Sequence, residues 1–196
     1  MTKKLQKSDC KGDILIVDDQ PDNLEVLSII LESEGYQVRQ AVNANIAFKT
    51  IEIQAPELIM LDIRMPEIDG YEACQKLKLN RETEDIPVIF LSGLGRGIDK
   101  SKALEVGGVD FIIKPFELEE VLARVAHHLT IRKLEIELNR RRQELAQQNY
   151  RLQTQIYICQ KAGKELEIFK ASLKARGKEL QDITGKLKNI QPHYLT

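Results

Sequence analysis

Residues 57–62 read Glu57-Leu58-Ile59-Met60-Leu61-Asp62, an unbroken apolar run closed by a carboxylate. A strand with one wet face alternates apolar and polar side chains. A run without alternation belongs to a strand covered on both faces, as in a parallel sheet with helices on either side. Three more short runs have an apolar body and a polar end: DILIVD at 13–18 with Asp19 following, DIPVIFLS at 85–92 and DFIIK at 110–114. Segments of helical spacing lie between them. Pro21 opens the first, because proline lacks only a donor that the first helical turn leaves unpaired; Leu24, Leu27, Ile30 and Leu31 recur along it and Gly35 stops it. Tyr36 to Val42 is a weaker strand, and Asn45 to Ile53 a second helix ended by Ala55-Pro56. A third helix follows Met65-Pro66 with Tyr71, Cys74 and Leu77 facing inward. A fourth runs from Ser101 to Val106 and ends at Gly107-Gly108, and a fifth opens after Pro115 with Leu118, Val121, Leu122 and Val125 as its apolar positions.

Five strands alternating with five helices predict an α/β fold, a doubly wound parallel sheet joined by right-handed crossovers. In such a sheet the strand C-termini share one edge, where ligands bind. Asp18, Asp19, Asp62, Ser92 and Lys114 are therefore expected to converge. Acids at strand ends also serve as helix caps, but that role does not account for all five together. Clustered carboxylates raise one another's pKa unless a cation sits among them. Oxygen ligands of this kind suit Mg²⁺, which commonly bridges to a phosphoryl group. Lys114 adds a point charge for a phosphoryl oxygen and Ser92 a hydroxyl donor. Asp62, ending the central run, is the candidate nucleophile that would become an aspartyl phosphate.

These residues resemble the receiver domain of two-component response regulators. The resemblance covers about residues 13–130 and rests on IVDDQPDN, LIMLDIRMPEIDGYE, VIFLSG and GGVDFIIKPF, in order and at the family's spacing. It implies a flavodoxin-like (βα)5 sheet of strand order 2-1-3-4-5. It further implies Asp62 as phosphoacceptor, Asp19 and Asp62 as direct Mg²⁺ ligands, Asp18 as a ligand through water and the backbone carbonyl of Arg64 as a fourth. Ser92 matches the switch hydroxyl, Lys114 the invariant lysine, Phe111 the switch aromatic, and Lys114-Pro115 the family's cis peptide. Ser92 stands where threonine is commoner, Gly93 where alanine is usual, and Phe111 where many relatives have tyrosine. By the same resemblance the phosphoryl donor is a sensor histidine kinase or phosphotransfer protein. The output is a change in the face made by helix four, strand five and helix five, and no enzymatic turnover is expected beyond slow self-dephosphorylation.

From Ile131 every seventh residue is apolar: Leu138, Leu145, Leu152, Cys159, Leu166, Leu173, Leu180 and Leu187 follow it. Such a seam without proline signals a coiled coil. The column three residues on is mixed, with Leu134, Arg141, Gln148, Gln155, Ala162, Phe169, Arg176, Ile183 and Ile190, so the coil should be weaker than a fully apolar one. Helix five is expected to run into it, and residues 131–187 would span roughly 85 Å at ~1.5 Å per residue. Gly163, Gly177 and Gly185 each cost about 1 kcal/mol relative to alanine in a helix, so a break or fraying is expected there. The domain reading is a disordered tail over 1–12, the receiver over 13–130, the coil over 131–190 and a short tail over 191–196.

The formal net charge of -1 hides a division. Residues 1–129 carry 15 Lys+Arg against 23 Asp+Glu, and residues 130–196 carry 14 against 7. Acidity near a strand-end pocket suits a divalent cation; the basic tail reads first as a solvated helix surface. Arg140-Arg141-Arg142 lacks the long basic helix that precedes a zipper in DNA readers, so nucleic acid is not an expected partner. His127 and His128 are not followed by the acidic residue usual after a kinase phosphoacceptor histidine. Gly93 to Gly97 lacks the spacing of a phosphate loop and reads as a flexible loop; an aspartate-nucleophile phosphohydrolase of the dehalogenase type would need a DxD that strand one does not have. Cys10, Cys74 and Cys159 are scattered and odd in number, and no run approaches the ~18 apolar residues of a membrane span. A cytoplasmic chain without membrane insertion is expected, dimerising through the coil and passing its signal to a protein partner. The alternative is the receiver and linker of a longer hybrid histidine kinase or cyclase.

Overall fold

The computed structural model describes residues 10–93 and 100–190. The expected tails at 1–9 and 191–196 and the stretch 94–97 of the glycine-rich loop lie outside the described residues. The element order is β1 (Asp13–Val17), α1 (Pro21–Ser33), β2 (Gln37–Ala41), α2 (Ala44–Ile53), β3 (Leu58–Asp62), α3 (Gly70–Leu79), β4 (Val88–Gly93), α4 (Lys100–Glu105), β5 (Asp110–Lys114) and α5 (Leu118–Ile190). All neighbouring strands pair in parallel, in the order β2-β1-β3-β4-β5. This is the flavodoxin-like sheet that the resemblance implied.

Successive side chains on a strand point to opposite faces, so each central strand divides its apolar residues between two cores. Ile14 and Ile16 of β1, Leu58 and Met60 of β3, and Ile89 and Leu91 of β4 pack with Leu27 and Leu31 of α1 and with Val121 and Val125 of α5. Leu15 and Val17, Ile59 and Leu61, and Val88 and Phe90 pack on the other side with residues of α2, α3 and α4. Burying each such aliphatic side chain contributes roughly 1.5–3 kcal/mol. In the edge strand β2 only Ala41 is buried, and Gln37, Arg39 and Gln40 take three of its five positions, which explains its weak apolar signal.

Local chemistry sets the ends of the helices. Pro21 occupies the first turn of α1, and Gly35 takes φ +87 after it, a left-handed conformation that glycine adopts without a Cβ penalty. Asn43 and Asp69 cap α2 and α3 by accepting from the backbone N–H of Ile46 and Glu72. Order begins before β1: the Lys11 N–H donates to the Gly35 carbonyl, and the Gly12 carbonyl accepts from the Gln37 N–H. Lys11 and Gly12, assigned by sequence to a disordered tail, are thus tied to the start of β2.

The helix α5 is continuous from Leu118 to Ile190. Gly163, Gly177 and Gly185 do not break it, since a cost of about 1 kcal/mol per glycine is spread over a long run of good helix formers. Residues up to Glu137 group with the sheet as one compact unit, and Leu138 onward form a second. Within the first unit Arg132 donates to the carbonyl of Asp85 and Lys133 to that of Lys11, so helix α5 is held past residue 130. No helix among the described residues is long and apolar enough to cross a membrane.

Candidate functional site

The chain order reverses direction in the sheet between β1 and β3, and the carboxyl ends of these two strands flank the crevice where doubly wound sheets bind ligands. Asp18 and Asp19 follow β1 directly and Asp62 is the last residue of β3. One oxygen from each of the three lies within 4.8 Å of the others. Asp18 and Asp62 are buried. Lys114, ending β5, bridges them: its ammonium donates to Asp18 Oδ2 at 2.6 Å and to Asp62 Oδ1 at 2.8 Å. The other oxygen of Asp62 accepts from the Arg64 N–H at 3.2 Å. Ser92 is buried near the end of β4, beside Ile113, and the Lys114-Pro115 peptide is cis. Phe111 lies lower on β5 opposite Phe90, half-buried against the α2–α4 core, with the Arg124 guanidinium 5.8 Å from its ring centroid.

The electrostatics follow from two buried carboxylates, Asp18 and Asp62, sharing one ammonium, with Asp19 beside them. Burial pushes the Asp62 carboxyl above its ordinary range, and the charge of Asp18 adds to this; the hydrogen bonds from Lys114 and Arg64 oppose but do not cancel it. Burial acts against the Lys114 ammonium too, yet its bonds to Asp18 and Asp62 outweigh that, and its pKa ends above the usual lysine value. The lysine is well satisfied, and Asp18 and Asp62 each accept on both oxygens; Asp19 differs. Asp19 Oδ1 is buried with no hydrogen-bond partner among the described residues. A buried carboxylate oxygen without a donor is costly unless a cation meets it, so the cluster fits a hard divalent ion with oxygen ligands.

Two supports were not recognised in the sequence. Asn23 Nδ2 donates to both oxygens of Asp18, at 3.0 and 3.1 Å, and the Gln20 N–H donates to Oδ1 at 3.0 Å. Asn23 sits inside the quoted IVDDQPDN, and its only signal was its place in the first turn of α1. Gly70, the first residue of α3, lies so close to β3 that a Cβ there would fall 2.2 Å from the Asp62 carbonyl oxygen; an obligatory glycine two residues after a proline-led turn is legible only once that contact is known.

The profile for the response regulator receiver domain matches residues 14–126. The DNA-binding dual master transcriptional regulator RpaA of Synechocystis sp. is 45% identical over 113 residues, which are 57% of this chain and 46% of that protein. A probable cyclic di-GMP phosphodiesterase of Vibrio cholerae is 40% identical over 116 residues, 59% of this chain and 26% of that protein. The chain spans less than half the length of either relative. The solved signal receiver domain of a signal transduction histidine kinase from Syntrophus aciditrophicus aligns at TM-score 0.57 with 39% identity, covering 61% of this chain and 90% of that one. The names of the three differ, and the likeness is confined to the matched stretch. With the profile spanning more than half of the chain, and with the strand order and acidic cluster described above, this chain belongs to the response regulator receiver family.

Proposed function

We propose that the chain is a receiver that accepts a phosphoryl group on Asp62 from a phosphohistidine of a sensor kinase or phosphotransfer protein, and that its long helix dimerises as a coiled coil. The observation that carries the first part is the meeting of Asp18, Asp19 and Asp62 at one sheet edge, with the Lys114 ammonium bridging Asp18 and Asp62 and with Asp19 Oδ1 left unpartnered among the described residues. A carboxylate oxygen of Asp62 attacks phosphorus; the O–P bond forms as the P–N bond of the donor breaks, and the departing imidazole takes up a proton. Asp18, Asp19, Asp62 and the Arg64 carbonyl would hold Mg²⁺, Asp18 through water, and the ion would offset the charge of the phosphoryl oxygens. Lys114, adjacent to Asp62, supplies a further positive charge to them, and the Ser92 hydroxyl supplies a donor.

Reaction at Asp62 then biases two states of the domain, since the phosphoryl group is bound better by the state in which Ser92 moves toward it and Phe111 turns inward. The face of α4, β5 and α5 carries the change to a protein partner. For the tail, the supporting observation is the row of apolar side chains from Ile131 to Leu187, each at least 38% exposed where the relative exposure is given, on a helix of 73 residues. Such a row is accounted for by a second helix lying along it.

The test is incubation of the protein with Mg²⁺ and a small acyl phosphate, followed by intact-mass analysis. One phosphoryl group per chain is expected, absent in Asp62→Asn. Undiminished labelling of Asp62→Asn, or sustained release of phosphate in large excess over protein, would overturn the proposal.

A further inference from the structure

The polar residues of the helix say how two copies pair. With Ile131 taken as position a of the heptad, Leu134 begins the d column, Glu135 the e column and Glu137 the g column. Every a residue is apolar, whereas four of the d residues are Arg141, Gln148, Gln155 and Arg176. Polarity is thus segregated into one column. In a parallel, unshifted pair each layer meets its own kind, a against a and d against d, so Gln148 and Gln155 face glutamines whose amides satisfy one another. In an antiparallel pair each a residue meets a d residue, and in the registers of longest overlap both glutamines would be pressed against leucine or Cys159, where no second amide answers them, at a cost of desolvation. A parallel pair shifted by a heptad keeps a on a but sets Gln155 beside Ala162 at its upper end and Arg141 beside Leu134 at its lower end.

Charge on the flanks points the same way. In a parallel pair each g residue lies near the e residue five positions on in the other copy. Glu137 then meets Arg142 and Glu165 meets Lys170, while Glu144 meets Asn149 and Glu179 meets Thr184. No such pair from Glu137 to Thr184 joins like charges. Antiparallel pairing brings g against g: in the two registers of longest overlap Glu179 opposes Glu137 or Glu144, and the one opposite-charge match of each register, Arg151 with Glu165 or Glu137 with Lys186, only offsets that repulsion. Lys170 already pairs with Glu167 of its own chain at 3.0 Å on an exposed surface, and a contact of that kind exchanges readily with Glu165 across the seam. The Arg141 and Arg176 layers are the one element against pairing of this kind; long stems let both guanidinium groups reach water.

We infer that two copies of this chain associate through a parallel, in-register coiled coil spanning residues 131–187, so that both receivers enter it at the same end and Cys159 faces Cys159. The inference rests on the coiled-coil reading above and adds orientation and register to it. A disulfide needs Cα atoms roughly 4.4–6.8 Å apart, which makes it a ruler for register. Cys10 is exposed and Cys74 buried, so the full chain carrying Cys10→Ser is compared with chains that also carry Cys159→Ser and either Leu138→Cys or Leu180→Cys. Each is equilibrated in glutathione redox buffer and run without reductant, with sedimentation equilibrium of the reduced proteins alongside. Covalent dimers are expected from all three, and a mixture of the Leu138→Cys and Leu180→Cys chains should give self-pairs without the cross-pair. Dimers by sedimentation that form only the cross-pair, or no disulfide at Leu138→Cys and Leu180→Cys, would overturn the parallel register and leave the coil standing. Monomers throughout would overturn the coil itself and this inference with it.

Discussion

Asp62 is held between opposing influences, and their balance sets how the site responds to pH. Its raised pKa arises mainly from burial, with Lys114 working against it. A group whose folded-state pKa is raised adds to stability below its unfolded value and loses that contribution as pH rises through the folded value. In metal-free protein at neutral pH the ionised Asp62 therefore opposes folding, and Asp62→Asn is expected to raise the thermal midpoint, with the gain vanishing in acid; an equal gain at all pH values would contradict this. The cation binding proposed above would run the other way, because a ligand must be ionised. Mg²⁺ affinity, followed by calorimetry, should begin to fall at a pH above the ordinary aspartate value of 3.8. Asn23 positions Asp18 through both of its oxygens, and loss of a group that orients a ligand costs about 10-fold or more in metal affinity. Asn23→Ala should show that loss in the same titration with little change in unfolding midpoint. Of these residues, Asp18, Asp19, Asp62, Ser92 and Lys114 were legible because each ends an apolar run. Asn23 was not, because its role depends on a hydrogen bond five residues back in the chain.

Helix and strand boundaries tell a similar story about what local pattern can carry. The strands β1, β3 and β4 were legible because burial on both faces leaves no polar residue inside them, and β2 was faint because Gln37, Arg39 and Gln40 stand among its five residues. The helix α5 shows the limit: Leu118 has the same apolar character as Val121 and Val125 and stands one turn earlier, yet it is 53% exposed while Leu129, at the other end of the packed stretch, is 3% exposed. Spacing identifies a stripe, but the first residue of a helix need not lie under the sheet. Leu129→Ala should accordingly destabilise by about 2–5 kcal/mol and Leu118→Ala by no more than about 0.5 kcal/mol, measured by denaturant unfolding. The approach of α3 to β3 makes a sharper claim. Gly70→Ala would force a Cβ to within 2.2 Å of the Asp62 carbonyl oxygen, and since that atom is backbone, the helix or the strand end must move. Overpacking of this kind costs about 1–3 kcal/mol, and because the displaced residue is Asp62, Mg²⁺ affinity should fall along with stability; a variant with native affinity would show that the helix moves and the strand does not.

For the chain as a whole the decisive quantity is how firmly the long helix holds together. Its interior glycines at 163, 177 and 185 face open space, with nothing within 4 Å of where a Cβ would stand. No packing reason requires them, so each glycine to alanine change is expected to stabilise the helix by about 1 kcal/mol. Whether that gain appears in association depends on whether the helix is ordered before two copies meet. An isolated helix exposing an apolar row along its length is marginal in water, because tertiary packing supplies most helical stability; pairing and helix formation are then one step, and a stiffer helix pairs more tightly. The triple variant Gly163→Ala, Gly177→Ala, Gly185→Ala should therefore lower the dimer dissociation constant measured by sedimentation and raise the midpoint of helix melting together. The Arg141 layer acts in the same equilibrium from the side of charge. In a parallel pair two guanidinium groups meet there, and Arg141→Leu exchanges a like-charge contact for an apolar layer, which is expected to tighten the dimer by about 10-fold or more. In an antiparallel pair Arg141 faces a leucine and has no like charge to escape, so the gain would not grow as salt is lowered, whereas relief of a like-charge contact in a parallel pair does grow, and the salt dependence separates the geometries without any cross-link.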